Sequence, residues 1–186
     1  ALYFQATDEI ARFKRRVGVQ GYLAKRAEMT SYPKYVVFRR MVPVDIGLRG
    51  ETDFLTRWSL VYRERKAVLG LIGSRCKKCG TPQFPPQRVC VNPTCGAMDE
   101  MEDYGFADKK GRVLSYTGDM LAASYDPPEL YGNVEFDGGG RLMCNFTDCT
   151  LEDLKVGAPV SFSFRKKYYD EKRDIHGYFW KAVPLK

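Results

Sequence analysis

One histidine, His176, serves the whole 186-residue chain, and it stands in a charged stretch beside Asp174 and Gly177. Nucleophilic catalysis needs an activated thiol or hydroxyl beside a group that moves protons, so a lone histidine in this setting reads as an exposed loop residue and not as a base. Paired carboxylates in apolar surroundings, a phosphate-binding loop and a Ser-His arrangement are missing too. No catalytic residue is assigned, and the chain by itself is not expected to be an enzyme. No apolar run approaches the eighteen or so residues of a membrane helix, and no secretory signal is visible. The expectation is a soluble chain in a reducing cytoplasm, whose six cysteines are not disulfides.

Charge excess is missing from most of the chain. The net charge is +7, but residues 7–70 carry 14 of the 30 Lys+Arg and only 7 of the 23 Asp+Glu, which leaves 16 of each sign in residues 71–186. A domain that grips nucleic acid through its phosphates should carry the basic patch itself. The stretch Leu2-Tyr3-Phe4-Gln5 looks like the remnant of a cleavable expression tag, and residues 1–6 are set aside from fold reasoning. No methionine precedes Met29, which suggests a native chain that begins inside a longer protein.

What is present is organised around four cysteines. Cys76-Lys77-Lys78-Cys79-Gly80 is followed by the loop Thr81-Pro82-Gln83-Phe84-Pro85-Pro86 and then by Cys90-Val91-Asn92-Pro93-Thr94-Cys95-Gly96. Two close pairs about a dozen residues apart match a tetrahedral tetrathiolate zinc site, with iron or buried free thiols as the alternatives. The second knuckle is enlarged, with four intervening residues where a ribbon usually has two. Cys76, Cys79, Cys90 and Cys95 are the candidate ligands. Four protein sulfurs leave no open position for water, so the metal would be structural.

The expected fold class is mainly β (α+β), with N-terminal helices, a four-cysteine zinc ribbon and a five-stranded OB-fold barrel. Residues 7–50 read as a basic arm, either a solvated tail or a segment that packs its tyrosines on another protein, with Ile10, Phe13 and Val17 at helical spacing over residues 7–16 and Pro33 breaking a later tyrosine-rich stretch. Residues 51–73 read as a helix capped by Thr52 or Asp53, stopped by Gly70 and leading into the ribbon at residues 74–104. Within it, residues 99–104 are acidic and read as exposed. Residues 105–186 hold five β-rich runs, a Gly138-Gly139-Gly140 hairpin turn and a helical turn between the third and fourth runs, the order of a small OB barrel. Cys144 and Cys149 read as buried or half-buried free thiols.

These motifs resemble the zinc-ribbon plus OB-fold family, long called a domain of unknown function, that accompanies thiolase-superfamily enzymes acting on acyl-CoA. The resemblance rests on Ser74-Arg75-Cys76-Lys77-Lys78-Cys79-Gly80, Phe84-Pro85-Pro86-Gln87-Arg88-Val89-Cys90, Gly111-Arg112-Val113-Leu114-Ser115-Tyr116-Thr117 and Val134-Glu135-Phe136-Asp137-Gly138-Gly139-Gly140-Arg141. It extends to Leu154-Lys155-Val156-Gly157-Ala158-Pro159-Val160 and to Tyr178-Phe179-Trp180-Lys181-Ala182-Val183-Pro184. Tyr22-Leu23-Ala24-Lys25-Arg26 and Tyr35-Val36-Val37-Phe38-Arg39-Arg40 are similar to the tail of hydroxymethylglutaryl-CoA-synthase-like proteins to which such a module is sometimes fused.

The resemblance implies an accessory subunit or C-terminal domain, in an oligomeric assembly, that docks a thiolase-like or hydroxymethylglutaryl-CoA-synthase-like catalytic part, separate or fused. The arm at residues 7–50 is the expected docking element, with Tyr35, Phe38, Arg39 and Arg40 as its main contacts. A CoA thioester is the implied ligand. Its phosphates call for cationic forks near aromatic rings, for which Arg165, Lys166 and Lys167 beside Tyr168 and Tyr169, and Arg141 after the glycine turn, are candidates, each also readable as a solvated charge. A single-stranded nucleic-acid binder of the same build is the alternative, against which stands a balance of 10 basic to 11 acidic residues over positions 111–186.

Overall fold

A computed structural model of the chain describes residues 18–24, 31–39, 41–42, 56–122, 124, 127–170 and 172–185. The chain divides into two compact units, Ala1–Met41 and Val42–Lys186. Among the described residues the first holds the short helices α1 (Val19–Ala24) and α2 (Tyr32–Phe38). Pro33 does not break this stretch. It stands in the first turn of α2, where its missing N–H costs no helical bond and its fixed φ suits the helix. The rings of Tyr32 and Tyr35 stack with centroids 6.2 Å apart. The helix expected over residues 7–16, the caps at Thr52 or Asp53, Arg40 and the side chain of Phe38 lie outside the described residues. Among the described residues no helix is long and apolar enough to cross a membrane.

The second unit opens with α3 (Trp58–Arg63) and α4 (Arg65–Gly70), offset from each other at Glu64, whose φ of −98° and ψ of 20° depart from the helical values. The stop is not Gly70 but Leu71, which takes the left-handed conformation at φ 48°, ψ 43°. A non-glycine residue pays about 1–2 kcal/mol for that backbone. Leu71 is fully buried, and burying a leucine side chain contributes about 1.5–3 kcal/mol, which offsets the strain.

Past Leu71 the chain forms a three-stranded antiparallel sheet in the order β2-β1-β3, from β1 (Ile72–Cys76), β2 (Pro82–Gln83) and β3 (Met101–Gly105). Strand β3 occupies most of the acidic stretch that reads as merely exposed. Its register on β1 sets Glu102 opposite Arg75, which bond to each other, while Asp103 bonds Lys66. The acidic side chains are thus partnered across the sheet and helix.

The remaining strands, β4 (Gly111–Asp119), β5 (Glu129–Phe136), β6 (Arg141–Asn145), β7 (Pro159–Asp170) and β8 (Ile175–Pro184), form a sheet in the order β6-β5-β4-β7-β8. A parallel bridge between Phe146 and Ala182 brings the end of β6 to β8 and closes the barrel. A turn of 3-10 helix at Leu151–Asp153, with a capping box from Thr150, lies between β6 and β7. Alternation sends Val113, Val134, Phe136, Leu142, Cys144 and Val160 inward.

Two residues from outside the barrel complete this core. Leu71, just before β1, and Phe106, just after β3, meet at one end of the three-stranded sheet, are both fully buried in the barrel cluster, and are joined by the Phe106 amide donating to the Leu71 carbonyl at 3.0 Å. The Phe106 ring lies 4.5 Å from that of Phe136, 5.0 Å from Tyr104 and 5.7 Å from Phe84. The glycine turn between β5 and β6 meets it there. Its three residues have φ of 93°, 115° and 91°, and a Cβ on Gly140 would stand 3.0 Å from the Phe106 ring.

Among the described residues β7 beyond Val160 pairs only with β8, and the two strands run on as an arm whose end is tied to Thr56, just before α3. The Thr56 amide donates to Asp170 Oδ2 at 2.8 Å, Arg173 donates to the same oxygen at 2.9 Å, and the Thr56 hydroxyl lies 3.2 Å from that of Tyr168. The Thr56 amide first, then Arg173, hold the Asp170 carboxyl below its ordinary value, although the side chain is buried.

Two outcomes follow from these contacts. Phe106→Ala should cost about 3–5 kcal/mol and lower the melting temperature read by far-ultraviolet dichroism at both sheets together; separate transitions for ribbon and barrel would contradict a shared core. For Asp170, a lowered folded pKa means stability that is present above the ordinary carboxylate pKa of about 3.9 and is lost as pH falls through the folded value. Asp170→Asn should therefore melt below the wild type at pH 7 and approach it below about pH 4, as measured by melting curves across that range.

Candidate functional site

The four predicted cysteines converge. All four sulfurs lie within 4.8 Å of one another, with Cys76 to Cys95 at 3.7 Å and Cys79 to Cys90 at 3.5 Å. A tetrahedral ion with Zn–S bonds of about 2.3 Å has sulfur–sulfur edges of about 3.8 Å, so the set fits a single zinc ion. The first knuckle closes on itself through the Gly80 amide to the Cys76 carbonyl at 2.8 Å. The enlarged second knuckle is ordered by Asn92. Its side-chain oxygen accepts from the Thr94 amide at 3.1 Å and hydroxyl at 2.8 Å, while its carbonyl accepts from the Cys95 amide at 3.0 Å.

The thiols are electrostatically unequal. The Thr81 hydroxyl, 3.2 Å from the Cys79 sulfur, and the Thr81 amide pull the Cys79 thiol down to about 6. Cys90 is pushed up to about 12. Its bond with the Asn92 amide favours the thiolate, but loss of hydration and the neighbouring thiols outweigh it. Four thiolates cannot crowd together without a countercharge, and a divalent cation supplies one.

Sequence reasoning missed the residue that holds the loop between the knuckles. Gln83 is buried to 2 % exposure, donates to the carbonyls of Gln87 and Val89 at 3.3 and 3.0 Å, and accepts from the Val91 amide at 3.0 Å. It therefore fixes the backbone on both sides of Cys90. Only its place opposite Ser74 on β1, which turns it inward, carries this role, and that pairing is not readable along the chain.

The four cationic candidates are not brought together. Arg141 begins β6 and pairs with Glu135 at 3.2 Å, at the opposite end of that strand from Asn145. Lys166 faces the Tyr169 ring at 5.8 Å. Arg165 and Lys167 share the other face of β7: Arg165 donates to Asp148 at 2.7 Å and to the Ser163 hydroxyl at 2.9 Å, and Lys167 donates to Asn145 at 3.1 Å above the Phe179 ring. Lys181, opposite Ser163, joins them. Burial first, and then the charges of Lys167 and Arg165 against those of Glu129 and Asp148, lower its pKa. Cross-strand register places Lys181 in this group, which is why a run of adjacent letters did not.

The remaining reactive groups are quiet. His176 is exposed on β8 with its ring 4.8 Å from that of Tyr169. Burial pushes the Cys144 thiol up to about 11.

With this geometry in hand, residues 63–99 match the model of the ChsH2 rubredoxin-like zinc ribbon domain, and residues 106–165 match that of the ChsH2 C-terminal OB-fold domain. A DUF35 domain-containing scaffold protein of Methanocaldococcus jannaschii is 31% identical over 127 residues, which cover 67% of this chain and 88% of the relative. The chain belongs to the DUF35 family. A second DUF35 domain-containing scaffold protein, from Methanothermobacter thermautotrophicus, is 29% identical over 135 residues, covering 70% of this DUF35 chain and 98% of that one. A solved structure described as an Ltp2-ChsH2(DUF35) aldolase superposes with a TM-score of 0.50 at 21% identity, over 70% of this chain and 96% of its own, and shares the DUF35 fold.

The DUF35 metal centre predicts about one zinc per chain by metal analysis. Gln83→Ala should leave the ribbon folded but release zinc to a competing chelator about tenfold faster, whereas an unchanged release rate would deny Gln83 its role in holding the knuckles.

Proposed function

We propose that this DUF35 chain is a non-catalytic scaffold, a subunit or C-terminal domain of an acyl-CoA enzyme of the thiolase or hydroxymethylglutaryl-CoA-synthase type. The observation that carries the reading is its likeness to proteins named as scaffolds along 88% and 98% of their lengths. The chemistry of the described residues supports it. A four-thiolate centre has no open position, the one histidine is exposed with no nucleophile beside it among the described contacts, and the Cys144 thiol is held protonated by burial. In this reading Cys76, Cys79, Cys90 and Cys95 bind a structural zinc ion, whose part is to hold the ribbon, and the basic arm of residues 7–50 contributes to docking.

The same reading gives the cationic face a ligand. Arg165 and Lys167, joined by Lys181, with Lys167 over the Phe179 ring, can take the phosphates of a CoA thioester, while Arg141 pairs with Glu135 and Lys166 faces the Tyr169 ring.

Affinity purification of the full chain from its native cells should recover a thiolase-superfamily or synthase-like protein in near-equal amount, and the chain alone should show no acyl-CoA turnover. Turnover that disappears in His176→Ala would overturn the reading. For the ligand, calorimetry should show that Arg165→Ala weakens CoA about tenfold or more; equal binding of CoA by wild type and variant would remove that face from the site.

A further inference from the structure

Helices α3 and α4 have two unlike sides. Toward the module, Ala67 is buried and Val61, Glu64 and Val68 are half-buried. Away from it stand Trp58 and Tyr62 on α3 and Arg65 and Leu69 on α4, each pair four residues apart, so that each helix presents one outward face. Trp58 is 55 %, Tyr62 73 % and Leu69 58 % exposed, and Leu60 on α3 is 45 % exposed. The Arg65 guanidinium lies 4.8 Å over the Tyr62 ring and donates to the Tyr62 carbonyl at 3.0 Å, so the surface is ordered within itself. It also sits on a fixed base. Thr56 is held by Asp170 just before α3, and Lys66 on α4 bonds Asp103 of β3.

A tryptophan, a tyrosine and a leucine exposed to water on anchored helices mark a docking surface more than scattered apolar residues do. Charge then selects the occupant. From Arg57 to Lys66 there are four basic residues, of which Arg63 pairs with Glu64 and Lys66 with Asp103, so the surface keeps a net positive charge through Arg57 and Arg65. A second copy of the chain would bring the same positive surface against itself. An anionic membrane suits the charge, but a helix that lies on a bilayer needs a wide, continuous apolar face, and here the inner side is committed to the module and the outward Trp58, Leu60, Tyr62 and Leu69 are divided between two helices of six residues each. A short outward face of aromatic and aliphatic side chains on anchored helices is instead what seats in a groove of another protein, and aromatic and arginine side chains are the types that carry such interfaces.

We infer that α3 and α4 dock through Trp58, Tyr62 and Leu69 into an apolar groove rimmed by carboxylates on the catalytic partner. This rests on the scaffold reading and adds to it a specific surface outside the N-terminal arm.

The test uses the full chain and the purified thiolase-superfamily protein recovered with it, with affinity measured by calorimetry. All three residues are exposed, so Trp58→Ala with Tyr62→Ala should keep the melting temperature and zinc content of the wild type while weakening association by about 30-fold or more. Arg63→Glu should slow association and flatten its dependence on salt. A double variant that binds within threefold of the wild type overturns the docking surface and leaves the scaffold reading standing. Absence of any association by the wild type overturns both. A wild-type chain that dimerises, or binds phosphatidylserine vesicles, through Trp58 and Tyr62 assigns the surface to those occupants and overturns the inference. So does a double variant that melts lower, because the surface is then covered by the chain itself.

Discussion

The contact on which the rest of this molecule depends is the insertion of Leu71 and Phe106 into the barrel core. These two side chains belong to one end of the ribbon sheet, yet they are buried against Phe136 and the strands of the barrel. Close-packed interiors transmit displacement and do not absorb it, so ribbon and barrel move as one body. The strained backbone of Leu71 and the bare glycine turn at Gly138–Gly140 are both consequences. One holds the leucine where the core needs it, and the other lets the Phe106 ring approach the backbone.

Within that body the metal centre and the packing have separate tasks. Four thiolates around an ion fix two loops that have little apolar material of their own; the buried cluster there is only Cys76, Cys90 and Ala97. Gln83 joins the two tasks, because it is a strand residue of the packed sheet whose side chain holds the loop before Cys90. The surface ion pairs, such as Arg88 with Asp99 and Arg141 with Glu135, are exposed and contribute little by comparison.

Much of this was legible in the order of residues. Cysteine spacing announces the centre, and strict alternation announces β7 and β8, because both signals are local. What sequence reading missed is set by neighbours distant along the chain. Strand β3 looks like an exposed acidic segment until Arg75 and Lys66 are seen opposite its carboxylates. The apolar pattern over residues 51–73 reads as one helix, but the structure breaks it at Glu64, turning Val61 and Val68 inward and Trp58, Tyr62 and Leu69 outward. The run Arg165, Lys166, Lys167 reads as one patch, although a strand alternates its side chains and places Lys181 in the middle fellow's stead. Pro33 starts a helix because a proline costs nothing in a first turn, a distinction of position and not of composition.

A rigid scaffold should bind without rearranging. Hydrogen exchange of the full chain, alone and with its catalytic partner, tests that most directly, since it reports each backbone amide separately. The account predicts added protection along α3 and α4, with the exchange rates of β1 to β8 in the core unchanged. Slowed exchange throughout the barrel core with none at α3 and α4 would contradict it, because the module would then fold onto its partner and not dock as a preformed body.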